Sequence, residues 1–150
     1  KTVPMILPGE IDDDPGGSGV VDTLGYEYAI IDVILGPAIQ ANPLTEFTLA
    51  EAAALDTGKL DTGDDSYAVI ATGGATAGQG VDFVWPATTG GVAQNVVRFA
   101  VDLKGRRQRY LGVSLKSTAG RNVCAVAHLC RPHTGKPTAA SRGVDVLVDV

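Results

Sequence analysis

The stretch YEYAIIDVILG, residues 26–36, decides the fold. Tyr26, Tyr28, Ile30, Asp32 and Ile34 alternate with Glu27, Ala29, Ile31, Val33 and Leu35, and both sets are largely apolar. A strand apolar on both faces belongs in the middle of a sheet. Further short β-rich runs surround it: residues 66–72, 81–85, 95–103, 109–116 and 122–130. Each is bounded by turn-forming pairs such as Gly73-Gly74, Gly90-Gly91 or Ala119-Gly120. LTEFTLAEAAAL, residues 44–55, fits a strand with Phe47 and Leu49 on one face or a short helix through its alanines, and strand first, then irregular structure, is the expectation. Regularly spaced strands, 19 glycines and no long amphipathic helix give an all-β protein, an antiparallel β-sandwich or jelly-roll-like domain with extended N- and C-terminal arms.

The 150 residues, 45% hydrophobic, suffice for one domain with a core. We expect a flexible N-terminal arm over residues 1–19, the sandwich over 20–132 and a C-terminal arm over 133–150. The first arm is suggested by EIDDDPGGSG, with Asp12, Asp13 and Asp14, a proline and three glycines. The second ends in VDVLVDV, where Val144, Val146, Val148 and Val150 alternate with Asp145, Leu147 and Asp149. Such a strand closes its own sheet or adds to the exposed edge of a neighbour. The longest apolar run, residues 29–35, contains Asp32 and falls far short of the roughly 20 residues that cross a bilayer, so no membrane partner is expected. The first ten residues are too interrupted for an export signal. Cys124 and Cys130, six residues apart on a strand, sit about 20 Å from each other, beyond disulfide reach, and fit synthesis in a cytosol.

Charge is segregated. Residues 1–103 hold 3 Lys/Arg against 15 Asp/Glu, and residues 104–150 hold 9 against 2. Either the two parts neutralise each other within one sandwich, or an acidic surface of one copy meets a basic surface of another. The cations concentrate in DLKGRRQRY, with Lys104, Arg106, Arg107 and Arg109 around Gly105. We read this as the basic tip of a hairpin. No aromatic platform accompanies it and the chain is acidic overall, so a carboxylate-bearing protein surface is expected as its partner rather than nucleic acid.

Motifs that would carry catalysis are incomplete. Two Asp-Thr-Gly triplets, at Asp56 and Asp61, match the word used by aspartic proteases, but five residues of separation cannot place two carboxylates symmetrically around a substrate. Turn chemistry explains them better. Asp56, Asp61, Asp64 and Asp65 lack the spacing of a calcium loop. Cys124, His128, Cys130 and His133 carry zinc-binding groups, yet Cys124 and His128 would lie about 13 Å apart along a strand. TGGATAGQG, residues 72–80, lacks the Lys-Ser/Thr of a phosphate loop and reads as a mobile connection. No enzyme, metal or cofactor is expected.

LKGRRQRYLGVSLKSTAG, followed by VCAVAHLCRP, resembles the closing segment of small structural proteins of tailed bacteriophages, and GYEYAIIDVILGPAI resembles their early strand. The likeness runs from Gly25 to Pro132 and departs at AEAAALDTGKLDTGDD, where the family often has a Glu-Ser-Asp-Asp hairpin. It implies a decoration or cement protein on the capsid exterior, made in the host cytoplasm. Its implied partners are the major capsid protein and other copies of itself, with a trimer favoured. Candidate contacts are Lys104, Arg106, Arg107 and Arg109, together with Asp12, Asp13 and Asp14 of one arm and Val146 and Val148 of the other. The alternative is a carbohydrate-binding jelly-roll module of a phage head fibre or tail.

Overall fold

The computed structural model describes residues 1–11, 16–38, 44–55, 67–74, 78–84, 95–104, 107–118 and 120–130. They form nine strands: β1 (Thr2–Ile11), β2 (Gly17–Asp22), β3 (Tyr28–Ala38), β4 (Leu44–Ala52), β5 (Tyr67–Gly74), β6 (Phe83–Val84), β7 (Asn95–Asp102), β8 (Tyr110–Ser117) and β9 (Arg121–Cys130). Sheet A has the order β1-β9-β3-β7 and sheet B the order β2-β8-β4-β5-β6. All neighbours are antiparallel except the short β5–β6 pair. The two sheets pack face to face as a β-sandwich.

β3 occupies the interior of sheet A, between β7 and β9, as its two apolar faces require. Its inward residues Ala29, Ile31, Val33 and Leu35 are fully buried. They meet Phe47 and Leu49 of β4, Leu111, Val113 and Leu115 of β8, and Val123, Ala125, Ala127 and Leu129 of β9 in one core. At one margin of this core Phe47, Phe83 and Phe99 stand edge to face in a closed triangle, with ring centroids 5.2, 5.6 and 5.3 Å apart. This cluster ties β4 to β6 and β7, and so sheet B to the margin of sheet A.

Two expectations are corrected. Residues 2–11 and 17–22 are not a loose arm: β1 pairs with β9 and β2 with β8, and Ile6, Ile11 and Val21 enter the core. The prolines that interrupt its apolar residues are tolerated because β1 is an edge strand, where alternate N–H groups face away from the ladder. Register shifts fall between Pro4 and Ile6 and between Ile6 and Gly9. Close packing of β2 on β1 needs Gly19, where a Cβ would overlap the Met5 carbonyl.

The connection from β7 to β8 is likewise no hairpin at a sheet edge. β7 borders sheet A and β8 lies inside sheet B between β2 and β4, so residues 103–109 cross from one layer to the other. Tyr110–Ser117 is buried on both faces from Leu111 to Leu115, and only an interior position satisfies that.

Gly25, at φ 83°, turns the chain between β2 and β3, aided by a bond from the Tyr26 amide to the Thr23 carbonyl. The ends of the connection expected to be mobile are pinned: the Thr72 amide donates to the Asp82 carboxylate and the Asp82 amide to the Thr72 carbonyl, each at 2.8 Å. Asp12, Asp13, Asp14, Arg106, His133, Val146, Val148 and the acidic loop with Asp56, Asp61, Asp64 and Asp65 lie outside the described residues, as does the strand expected over 144–150.

Candidate protein-docking face

Lys104, Arg107 and Arg109 sit on the crossing segment, and each pairs with an acid of its own chain. Lys104 Nζ lies 3.4 Å from Glu27, Arg107 Nη1 lies 3.7 Å from Glu51 at the end of β4, and Arg109 binds Asp22 at the end of β2. Arg109 donates from Nε and Nη2 to both Asp22 oxygens, at 3.0 and 2.6 Å, and its guanidinium lies 5.0 Å from the Tyr110 ring centre. Its carbonyl accepts from the Thr23 amide and hydroxyl, while Glu51 also accepts from the Gln108 amide. The cations therefore fasten the crossing to strands from the acidic part of the sequence. Lys116 with Glu46 repeats the pattern on sheet B. Of the two readings of charge segregation, neutralisation within one chain describes these pairs.

The Arg109 fork and the Leu24 amide hold the Asp22 carboxyl at about 2, below its ordinary 3.8. A depressed carboxyl favours the folded state above its unfolded value, and that contribution fades as pH falls through the folded one. Thermal stability should therefore decline between about pH 4 and pH 2. Asp22→Asn should flatten part of that decline while lowering the neutral-pH melting temperature slightly, since the pair is solvent-exposed. A pH series of melting curves on both proteins checks this.

The outer face of sheet A has a different character. Across one row, Val96 of β7 faces Ile34 of β3, which faces Cys124 of β9. Pro8 and Gly9 of β1 complete this side of an open groove of about 310 Å³, lined also by Gly36, Asn122 and Val123. Val96 is 59% exposed, Ile34 39%, and Leu7, in the irregular part of β1, 73%. The next row joins Arg98, Asp32 and Val126, and its charges are internally neutral: Arg98 donates to both Asp32 oxygens, from Nε at 2.6 Å and from Nη2 at 2.8 Å. This fork holds the Asp32 carboxyl below its ordinary value. His128 Nε2 lies 3.8 Å from the same carboxylate, and His128 Nδ1 is 3.3 Å from the Thr2 hydroxyl. The surface is thus an apolar strip beside a closed ion pair, a combination that a protein partner can cover without stranding a charge.

Cys124, His128 and Cys130 all lie on the outward side of β9, spread along the strand, and both cysteines are free thiols. Among the described residues no three His, Cys, Asp or Glu side chains converge as a metal site.

Arg121 begins β9 on its inward side and is almost wholly buried. Its Nε donates to the Gly36 carbonyl at 3.1 Å, while Nη2 is buried and has no hydrogen-bond partner among the described residues. Burial lowers the pKa of this guanidinium. Since an uncompensated buried cation opposes folding, Arg121→Met should keep or raise the midpoint of urea unfolding. A fall of more than about 1 kcal/mol would show instead that the guanidinium is compensated in the folded chain.

The sequence reading used the two apolar sides of residues 26–36 only to place the strand inside a sheet, and drew nothing about which side faces outward. The usable signal was Ile30 and Ile34 on the same side as Asp32. In a two-layer sandwich one side of each sheet faces outward, and an apolar outward side marks a surface.

No family model matches the chain, and no curated protein matches it either. Among solved structures it is similar to a family GH115 4-O-methyl-alpha-glucuronidase with specificity for decorated arabinogalactans, with a TM-score of 0.35 and 10% identity over 89% of this chain and 16% of that one. The chain thus spans a small fraction of that enzyme, and likeness at this level supports no functional transfer.

Proposed function

We propose that this protein is a non-enzymatic virion component that binds the outside of a tailed-phage capsid and stabilises it by bridging neighbouring capsid subunits. The observation that carries this reading is the outward apolar strip of sheet A around Ile34, Val96 and Cys124, beside the Arg98–Asp32 pair. It is supported by the sequence resemblance of residues 25–132 to phage structural proteins. A ligand that spans two subunits is lost when they separate, so its binding free energy adds to the resistance of the shell. Apolar burial suits this role, because most of its free energy needs no matched charge on the partner. Other copies of the chain, as a trimer, are the second proposed partner. The glycan-binding alternative needs an exposed aromatic platform, whereas among the described residues Phe47, Phe83 and Phe99 pack against one another.

The test is to mix the purified protein with expanded, DNA-free shells built from the capsid protein encoded alongside it. Saturable co-sedimentation and a rise in the melting temperature of the shell are expected. Shells that pellet without the protein and melt unchanged would remove the proposal.

A further inference from the structure

His128 stands on the same outward side of β9 as Cys124, four residues along the strand and about 13 Å away. A stable contact covers roughly 800 Å² on each partner, so one centred on Ile34 and Cys124 reaches His128 as well. Both ring nitrogens lie near groups that can accept a hydrogen bond: Nδ1 is 3.3 Å from the Thr2 hydroxyl of β1, and Nε2 is 3.8 Å from the Asp32 carboxylate of β3. That carboxylate is already engaged. Arg98 of β7 donates to both of its oxygens and holds its pKa below the ordinary value. Among the described residues the other titratable groups around the imidazole are Tyr28 on β3, Cys130 on β9, and the α-ammonium of Lys1, which donates to the Leu129 carbonyl at 2.7 Å. Asp102 of β7 lies farther off, opposite Tyr28, and accepts from the Lys104 amide.

We infer that His128 makes docking on this face pH-sensitive, with proton uptake by its imidazole releasing the partner. Imidazole is the side chain that gains a charge between about pH 8 and pH 5. While the ring is neutral, Arg98 and Asp32 cancel, and a partner covers the face without burying a net charge. Once the ring is protonated, Arg98, Asp32 and His128 together carry one positive charge in excess. In the free protein the half-exposed ring keeps its access to water, and the Asp32 carboxylate beside it favours the charged form. Under a partner that water is gone. Asp32 cannot neutralise two cations, so covering the face then desolvates the surplus charge without compensation. Proton and partner therefore compete, and by linkage each weakens the binding of the other by the same factor. The inference rests on the capsid-binding reading and adds a regulation to it, release from the shell at acid pH.

Co-sedimentation with expanded, DNA-free shells at about pH 7.5 and about pH 5.5 tests it, using the wild-type chain, His128→Gln and His128→Lys. The Kd of the wild type should rise at least about tenfold on acidification, and that of His128→Gln less than about threefold. His128→Lys, charged at both values, should bind at about pH 7.5 as weakly as the wild type does at about pH 5.5. Melting curves at both values show that each protein is folded. Titration of the shells themselves, or of Lys1, enters all three measurements equally and is removed by the comparison. A pH response of equal size in the wild type and His128→Gln overturns the inference while leaving capsid binding in place. So does tighter binding by the wild type at the lower pH, or binding by His128→Lys as tight as that of the wild type at about pH 7.5. Absence of wild-type binding at about pH 7.5 removes the capsid reading and this inference with it.

Discussion

Phe47→Ala should lower the unfolding free energy by about 3–5 kcal/mol, the largest single-residue loss expected in the molecule. Phe47 has no exposed surface and is the core-side member of the aromatic triangle, with Phe83 at 5.2 Å and Phe99 at 5.6 Å. Truncation removes a large buried side chain and two edge-to-face contacts at once, and leaves a cavity where the sheets meet. Phe83 sits on β6, a two-residue strand that pairs with Gly73 and Gly74 beside the Thr72–Asp82 bonds. In a domain of this size the loss corresponds to a fall in melting temperature of roughly 6–20 °C. Phe47→Leu, which keeps most of the apolar volume, should lose much less. Urea unfolding monitored by circular dichroism checks both variants. A Phe47→Ala loss under about 1 kcal/mol would mean that the triangle does not hold the sheets together.

The second large effect concerns the surface. Ile34→Lys should weaken binding to expanded shells at least about a hundredfold, close to 2.7 kcal/mol, because a charge lodged in an apolar contact is desolvated without a partner. Stability should change little, since Ile34 already faces solvent on the outer side of β3. Together these results would separate loss of docking from loss of fold. Co-sedimentation over a range of protein concentrations measures the first and a melting curve the second. Unchanged binding by a folded Ile34→Lys protein would exclude this strip from the contact.

What could be read from the sequence was set by how local each cause is. The interior place of β3 was legible in residues 26–36, because a run that is apolar on both sides is the pattern of a central strand. The same reasoning located β7, β8 and β9 to within two residues at either end. The role of residues 2–11 was hidden, because Pro4 and Pro8 break an interior strand but not an edge strand, and the edge is decided by β9 more than a hundred residues away. The crossing of residues 103–109 between layers was hidden for the same reason: adjacent strands joined by a glycine turn usually pair with each other, and here both sides of β8 are taken by β2 and β4. The cation cluster was legible as a cluster, yet its partners Asp22, Glu27 and Glu51 come together with it only in the folded chain. The apolar strip depends on the number of layers, which no single strand encodes.

Cys124 and Cys130 allow the central claim to be measured with native side chains. Cys124 lines the groove, and Cys130, exposed at the far end of β9, serves as an internal reference. The protein is treated with iodoacetamide when free and when bound to expanded shells, and the labelling rate of each thiol is determined by peptide mapping. If the apolar strip around Ile34 and Cys124 is the docking surface, binding should slow modification of Cys124 at least about tenfold relative to Cys130. Equal rates at Cys124 in the free and shell-bound protein would contradict it.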